Sequence, residues 1–499
     1  MKKYIYKFIQ ITFLFVFLLV NFIILFDNTK ITISFLFNNV ILIFLGILIL
    51  LMIIFVIKKI EIDFSDTKIL FVLSIILFMM EIFISFNTLF KSGWDVSMIY
   101  DAAYSNVFYN YPKISFEASK SYFEMYPNNT FLLLYEMFWA FITRSICKGP
   151  ITLNFILVFN NCIIFTLVGI MIYLCTKKII NNDKMALLSW LIYIILVGTS
   201  PWFLVPYSDS IGLLFPTLLL YIYLYFNGKL HFKTFLISLV SFIGYQIKPQ
   251  ILIVFIAIIL IEFSEIFSQR ITKDYCIKIG KKIVIIGLTY ILVAMPISYI
   301  QKDVMKLNSN RKIGITHFLM MGLNTKTNGV WSEEDVSFSS SFPNEKIRRQ
   351  QNLKKVKERI KEQKTLGLIK HLRNKVVVNF NDGTFYFGQE GSFYTWYYFS
   401  EPNKDNFIAN CIYSTGKYYI YFSSIRQAIW LLILFLMLFC YTYKNNKEIL
   451  LIQLSLIGLF LFEMLFEARS RYLFIYVPYF IMLAILGINK ILLKLKVEV

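Results

Sequence analysis

Again and again this chain runs for about 20 residues almost without charge, the length a helix needs to cross roughly 30 Å of bilayer hydrocarbon. Such stretches stand at 8–26, 32–57, 69–86, 151–175, 185–205, 209–226, 233–247, 250–267, 283–300, 422–443, 448–466 and 472–493. No soluble core could absorb them all. Composition agrees: 58% of residues are hydrophobic and 16% charged, against about 45–50% and 25% in soluble domains. The run from Phe8 to Phe26 follows Lys2 and Lys3 and exceeds a signal-peptide core. No small-residue cleavage site comes after it, so it is expected to stay as a membrane anchor.

One further apolar run, 129–146, decides the topology, because a crossing there would move every later loop to the opposite side. Charge resolves it. If 129–146 does not cross and the N-terminus is cytoplasmic, the short inner loops hold Lys177, Lys178 and Lys184, then Lys229 and Lys233. They also hold the cluster from Arg270 to Lys282, then Lys444, Lys447, Lys490, Lys494 and Lys496. The short outer loops then hold only Lys248, Arg469 and Arg471. That asymmetry obeys the positive-inside rule, and the opposite assignment violates it at each turn. The +20 net charge is therefore a topology signal, and a nucleic-acid partner is not expected.

The expected fold is an all-α integral membrane bundle of about 12 spans, with external surface helices and a mixed external loop. Two N-terminal spans (1–68) precede a membrane core (69–300) whose first external loop, 87–150, carries 129–146 as a surface helix. A large external loop (301–421) and the C-terminal spans (422–499) follow. Within 301–421 the stretch Asn344–Lys375 places Ile347, Leu353, Val356, Ile360 and Leu366 at amphipathic-helix spacing. Asn381-Asp382-Gly383 then reads as a turn joining two aromatic-rich strands, Val376–Phe380 and Thr384–Phe387. The six cysteines show no metal-ligand spacing and read as free thiols, mostly buried. With three histidines and no DxD pair in the first external loop, no metal site is assigned.

Polar residues near the spans gather at the outer ends. Asp95 and Asp101 follow the third span; Glu124 and Asn128 precede the surface helix; Asp209 lies at the end of the fifth span. Lys248 sits between the seventh and eighth, and Arg469, Arg471 and Tyr472 between the eleventh and twelfth. Charge at the edge of hydrocarbon is costly and is usually kept for function. Carboxylates beside cations at that depth suit transfer of a sugar from a lipid-linked phosphate. A cation steadies the leaving phosphate, a carboxylate takes the acceptor proton, and aromatic rings offer faces to sugar and prenyl chain.

On these residues the layout resembles the GT-C superfamily of membrane glycosyltransferases, near the protein O-mannosyltransferase and aminoarabinose-transferase branch (glycosyltransferase family 39). Trp94-Asp95 matches the acidic residue that opens the first large external loop, and Tyr126-Pro127-Asn128-Asn129 the Pro-containing motif before a surface helix. Asp209 matches a later acidic residue, and Arg469-Ser470-Arg471-Tyr472 the basic loop before the last span, which contains Pro478. The resemblance covers most of the chain in architecture. Tyr-Pro-Asn-Asn departs from the family's His-Pro-Pro or Lys-Pro-Pro, and the first two spans look like an addition to the plan.

The resulting expectation is an inverting, cell-membrane glycosyltransferase with its site facing the extracytoplasmic side. Its donor is a polyprenyl-phosphate sugar; its acceptor is a wall glycan, glycolipid or protein; no cofactor is assigned beyond the lipid-linked donor, and dependence on a divalent metal is left open. Asp95 is the expected base. Lys248, Arg469 and Arg471 are expected on the donor phosphate, and Asp101, Glu124, Asn128, Asp209 and Tyr472 on substrate. His317, Trp331 and Asp335 are weighed for the donor entrance, with a packed loop favoured. Two other functions fit the same layout: a polymerase or ligase of lipid-linked glycans, whose pyrophosphate demands more cations, and a flippase, which demands a polar path through the bundle.

Overall fold

In the computed structural model the described residues are 2–27, 29, 31, 33–59, 67–110, 115–146, 149–266, 272–391, 394–401, 404–442 and 446–496. Cys147, Arg270 and Lys444 lie outside them.

Nearly all of the described chain is helical. Three long apolar helices come first: α1 (Lys2–Leu25), α2 (Asn39–Lys59) and α3 (Thr67–Thr88). A first long connection carries α4 (Trp94–Tyr104), α5 (Lys120–Met125) and α6 (Thr130–Ile146). The middle of the bundle is α7 (Pro150–Ile180), α8 (Asp183–Tyr193), α9 (Ser208–Gly212), α10 (Leu214–Tyr225), α11 (Leu230–Ile247), α12 (Leu252–Ile266) and α13 (Lys273–Tyr299). A second long connection holds α14 (Ile315–Gly322), α15 (Glu333–Ser340), α16 (Glu345–Phe380) and α17 (Phe407–Ile412). The chain returns through α18 (Tyr419–Leu436), α19 (Lys447–Leu465) and α20 (Val477–Lys494).

Among the described residues, ten helices are long and apolar enough to cross a membrane. The helices at two further expected spans, 185–205 and 250–267, are too short to be among them. α8 passes into a π-helical turn at Ile194–Gly198 and then a buried 3-10 turn at Pro201–Leu204. α12 has 15 residues, about 22 Å of helix at 1.5 Å per residue, preceded by a 3-10 turn at Pro249–Ile251. Proline interrupts both, since it cannot donate to the helical ladder. Arg426 of α18 donates to the carbonyls of Leu196 (2.8 Å) and Thr199 (2.5 Å), taking up groups that the π-turn leaves open.

Burial separates the lipid face from the core. α20 is buried along most of its length and α13 along little of it. α20 packs on α7, α8, α18 and α19 and so runs through the middle of the bundle. α13 shows Ile283, Leu288, Leu292 and Met295 outward, the surface expected where lipid is the solvent. The first two helices are integral to the assembly: α1 packs on α19 and α2 on α18. Gly46 brings α2 so close to α18 that a Cβ there would lie 2.5 Å from the Ala428 carbonyl oxygen, the small-residue contact that tight membrane-helix packing uses.

The two long connections are stitched to each other. β1 (Phe90–Ser92) pairs antiparallel with β2 (Tyr394–Tyr397), with Phe90 opposite Tyr397 and Ser92 opposite Tyr394. This pairing replaces the hairpin expected at 376–387. Val376, Val377, Val378 and Phe380 instead finish α16, buried against α1 and α19, so tertiary burial outweighs the β-preference of a valine run. The turn at Asn381–Gly383 ends that helix. Gly383 abuts α18, where a Cβ would meet the Arg426 carbonyl at 2.8 Å. α16 is itself broken at Lys364, whose φ is 52°.

Candidate functional site

The segment between α19 and α20 is the keystone. Its first residues are held by Lys375 of α16, a fully buried lysine donating to the carbonyls of Met464 (2.9 Å), Phe466 (2.5 Å) and Gly322 (3.1 Å). A cation at a helix C-terminus answers both the open carbonyls and the dipole. Burial lowers the Lys375 ammonium to about 8. The Ala468 amide donates to the Gly329 carbonyl at 2.8 Å. So anchored, the segment presents Glu467, Arg469 and Arg471 in one direction before the 3-10 turn Ser470–Tyr476 leads into α20.

Arg471 is the centre of the cluster. Its Nη1 lies 3.4 Å from Asp209 Oδ2 and its Nε 3.1 Å from Glu390 Oε2, the latter without hydrogen-bond alignment. Its guanidinium carbon stands 4.6, 5.6 and 5.3 Å from the ring centres of Trp94, Tyr207 and Tyr472. Arg469 pairs with Glu390 through Nη1 and with Glu467 through Nε at 2.7 Å. Asp209 sits fully buried in the first turn of α9, where a carboxylate also meets the helix dipole. It pairs with Lys248 as well. Lys248 occupies the break between α11 and the turn at Pro249, 4.8 Å from the Tyr472 ring. Burial pulls its ammonium below the lysine range, and Asp209 opposes that pull.

Asp95 approaches from the other side, in the first turn of α4 and half-buried. Tyr207 donates to its Oδ2 at 3.2 Å. The Tyr122 hydroxyl also faces this carboxylate; burial first and Asp95 second push that phenol up. Behind it, Asn129 donates to Tyr122 at 2.7 Å and Asn128 to Asn129 at 3.0 Å. The Tyr-Pro-Asn-Asn motif thus reaches Asp95 through a chain of amides and a phenol. Glu467 closes the ring: it accepts from Tyr472 at 2.9 Å, and burial pushes its carboxyl up to about 7 against the pull of Arg471.

Asp95, Asp209, Lys248, Arg469, Arg471 and Tyr472 therefore converge, and Asn128 stands behind them. Asp101 and Glu124 do not join them. Asp101 is exposed and pairs with Lys91 at 2.6 Å beside β1. Glu124 accepts from Arg311 at 2.9 Å and from the Asn308 amide at 3.1 Å, tying the first connection to the second. His317 is buried against Ser339 (2.7 Å), and Asp335 is gripped by Arg359 (2.6 Å); both serve packing within the second connection. Trp331 is half exposed and lines a cavity of about 270 Å³ next to the cluster.

Sequence reading gave no role to Glu390, Glu467, Tyr122 or Tyr207. Just beyond the stretch read as the strand Thr384–Phe387, Glu390 lies on a π-helical turn, Phe387–Gly391. Two residues just before it, Phe385 and Tyr386, take φ of 54° and 65°, and Trp94 takes 51°. Bulky residues at positive φ are outliers, and such strain gathers at functional sites; Trp94 and Tyr386 border the cluster at Arg471 and Arg469, while Phe385 packs on Trp430 and Phe474. Among the described residues no three His, Cys, Asp or Glu side chains are grouped to hold a metal ion.

Comparison places this architecture without supplying an activity. No curated protein matches the chain. A family model described as a conserved hypothetical integral membrane protein matches residues 1–492, so the chain belongs to that family of multi-pass membrane proteins.

Proposed function

We propose that this protein is an inverting membrane glycosyltransferase of GT-C type. It moves a sugar from a polyprenyl phosphate to a hydroxyl acceptor on the extracytoplasmic side of the cell membrane. The observation carrying the reading is one juxtaposition: a half-buried carboxylate, Asp95, beside three buried cations, Lys248, Arg469 and Arg471, at the ends of helices long enough to cross a bilayer.

In a single displacement the acceptor oxygen attacks the anomeric carbon while the bond from that carbon to the phosphate oxygen breaks. The electron pair leaves with prenyl phosphate, and the hydroxyl proton passes to Asp95. Tyr207 and Tyr122 hold the Asp95 carboxylate in place. Arg471 and Arg469 take the leaving phosphate, which guanidinium groups grip in fork geometry. Glu390 stands between those two arginines, where the donor phosphate replaces it. Because Lys248 and part of Arg471 are already committed to Asp209, the site is furnished for one phosphate group. That favours a monophosphate donor over the pyrophosphate of a glycan polymerase or ligase. The location rests on the lysine asymmetry between short loops. The acceptor class is a wall glycan, glycolipid or protein.

The test is release of prenyl phosphate by purified protein supplied with a panel of prenyl-phosphate sugars. Wild type releases it with at least one donor, and Asp95→Asn is slower by about two orders of magnitude or more, the usual loss of a general base. Equal rates in the two proteins remove Asp95 from the mechanism.

A further inference from the structure

The cavity beside the cluster has a chemistry of its own. Its walls come from Ile31, from the turn 324–331 and from the end of α16 onward, and two of these lining residues, Asp382 and Tyr386, also meet the arginine segment. Asp382 accepts from Ser470 at 3.0 Å, and the Tyr386 ring stands 5.7 Å from the Arg469 guanidinium. The cavity therefore lies beside the Arg469 end of the cluster.

Its charged groups are already spoken for. The Asp382 carboxylate accepts from the Thr384 amide (2.8 Å) and hydroxyl (2.6 Å), the Tyr386 amide (2.7 Å) and Ser470. Lys326 pairs with Glu334 at 3.2 Å. What remains open is neutral. Asn328 uses only its carbonyl oxygen, toward Asn374 (3.0 Å). The Gln389 amide and the Tyr386 hydroxyl make no side-chain hydrogen bond among the described residues. Val330 and Val378 supply apolar wall.

Trp331 completes the set. A tryptophan that is 49% exposed wastes a large apolar face unless something covers it. Its ring stacks on no other aromatic ring among the described residues. The turn carrying it is nonetheless rigid: Gly329 donates to the Asn324 carbonyl (2.9 Å), Thr327 to the Val330 carbonyl (2.8 Å), and Asn324 to Asp335 (3.0 Å). Gly329 has φ 83°, and a Cβ there would lie 2.9 Å from the Gly322 carbonyl. A firmly held aromatic face, planar amides, a free phenol and no spare charge are the groups that recognise an uncharged sugar ring. The volume, about 270 Å³, lies just below the roughly 300–1,000 Å³ of pockets for drug-sized ligands, enough for one ring rather than a chain.

We infer that this cavity is a carbohydrate subsite that holds one neutral pyranose unit of the acceptor, stacked on Trp331 and hydrogen-bonded by Asn328, Gln389 and Tyr386. The inference rests on the transferase reading for the role of that sugar, while the binding itself can be measured apart from any transfer.

The experiment uses the full chain in lipid nanodiscs and saturation-transfer NMR. The probes are methyl glycosides of a neutral hexose and of an N-acetylhexosamine, with glucuronic acid and glycerol phosphate as charged comparisons. Prenyl phosphate binding is measured on the same samples. The neutral glycosides are expected to bind saturably and the charged probes not. Trp331→Ala is expected to weaken the glycosides about tenfold, roughly 1.4 kcal/mol, and Trp331→Phe to keep most of the binding. Prenyl phosphate affinity is expected to stay unchanged in both variants. Absence of saturable glycoside binding, equal binding by Trp331→Ala, or equal binding of the charged probes overturns the subsite. Glycoside binding that depends on Trp331, in a protein with no affinity for prenyl phosphate, upholds the subsite and sinks the transferase reading instead.

Discussion

Asp209→Asn is the sharpest perturbation of the cluster, because the carboxylate it removes is fully buried and serves two cations. The two are not equally exposed to the loss. Arg471 keeps Glu390 at 3.1 Å, whereas Lys248 loses its one ion-paired carboxylate among the described residues and keeps the Tyr472 ring at 4.8 Å. Breaking a buried pair by removing one partner costs about 3–5 kcal/mol. Lys248 sets a ceiling on that cost, since it can shed its proton. Neutralising a lysine of ordinary pKa, about 10.4, at pH 7 costs roughly 4.6 kcal/mol, and at pH 9 roughly 1.9 kcal/mol. In the variant, then, native Lys248 is neutral while the unfolded chain binds the proton. The unfolded state holds more protons between pH 7 and about 10, so stability rises with pH across that window. The assay is equilibrium unfolding in mixed micelles with increasing SDS, at pH 7 and pH 9. The expected penalty is about 3–5 kcal/mol at pH 7, falling toward 2 kcal/mol or less at pH 9. A second substitution, Lys248→Met, is expected to recover much of the loss at pH 7. A penalty under about 1 kcal/mol at pH 7, or one that does not change with pH, refutes the buried pairing.

Two further outcomes follow from the same geometry. Glu390→Gln removes the carboxylate that competes for Arg469 and Arg471 and should tighten prenyl phosphate binding about tenfold, the worth of one charged hydrogen bond of roughly 1.5 kcal/mol; weaker binding would mean that Glu390 builds the site instead of filling it. Glu467 has a native pKa raised to about 7, above its unfolded value near 4.3, so its contribution to stability is present below pH 4.3 and lost as pH rises through 7. Glu467→Gln should flatten that part of the stability–pH curve, and an unchanged curve would show that another group titrates there.

The helical spans and the meeting of five distant segments were legible because both follow from solvent. Long uncharged runs need lipid, and charge at their ends cannot retreat into it, so Asp95, Asp209, Lys248 and the two arginines were confined to one end of the bundle before any packing was considered. Which partner each polar group takes was not legible. Asp101 sits six residues after Asp95 and looks equivalent in sequence, yet Lys91 is close enough to hold it. Glu124 lies beside the Tyr-Pro-Asn-Asn motif, but Arg311, far along the chain, claims it. Glu390 was hidden for a different reason: the Val376–Phe380 run favours a strand locally, and burial against α1 and α19 turns it into helix. With that helix, the following residues become the turn that carries Glu390 to the arginines.

The most direct measurement is the affinity of the purified chain for a prenyl monophosphate, compared between wild type and Arg471→Gln in the same nanodiscs. A phosphate site between Arg469 and Arg471 predicts saturable binding by wild type and a loss of about tenfold or more in the variant. No saturable binding by wild type, or equal affinity in the two, would contradict it.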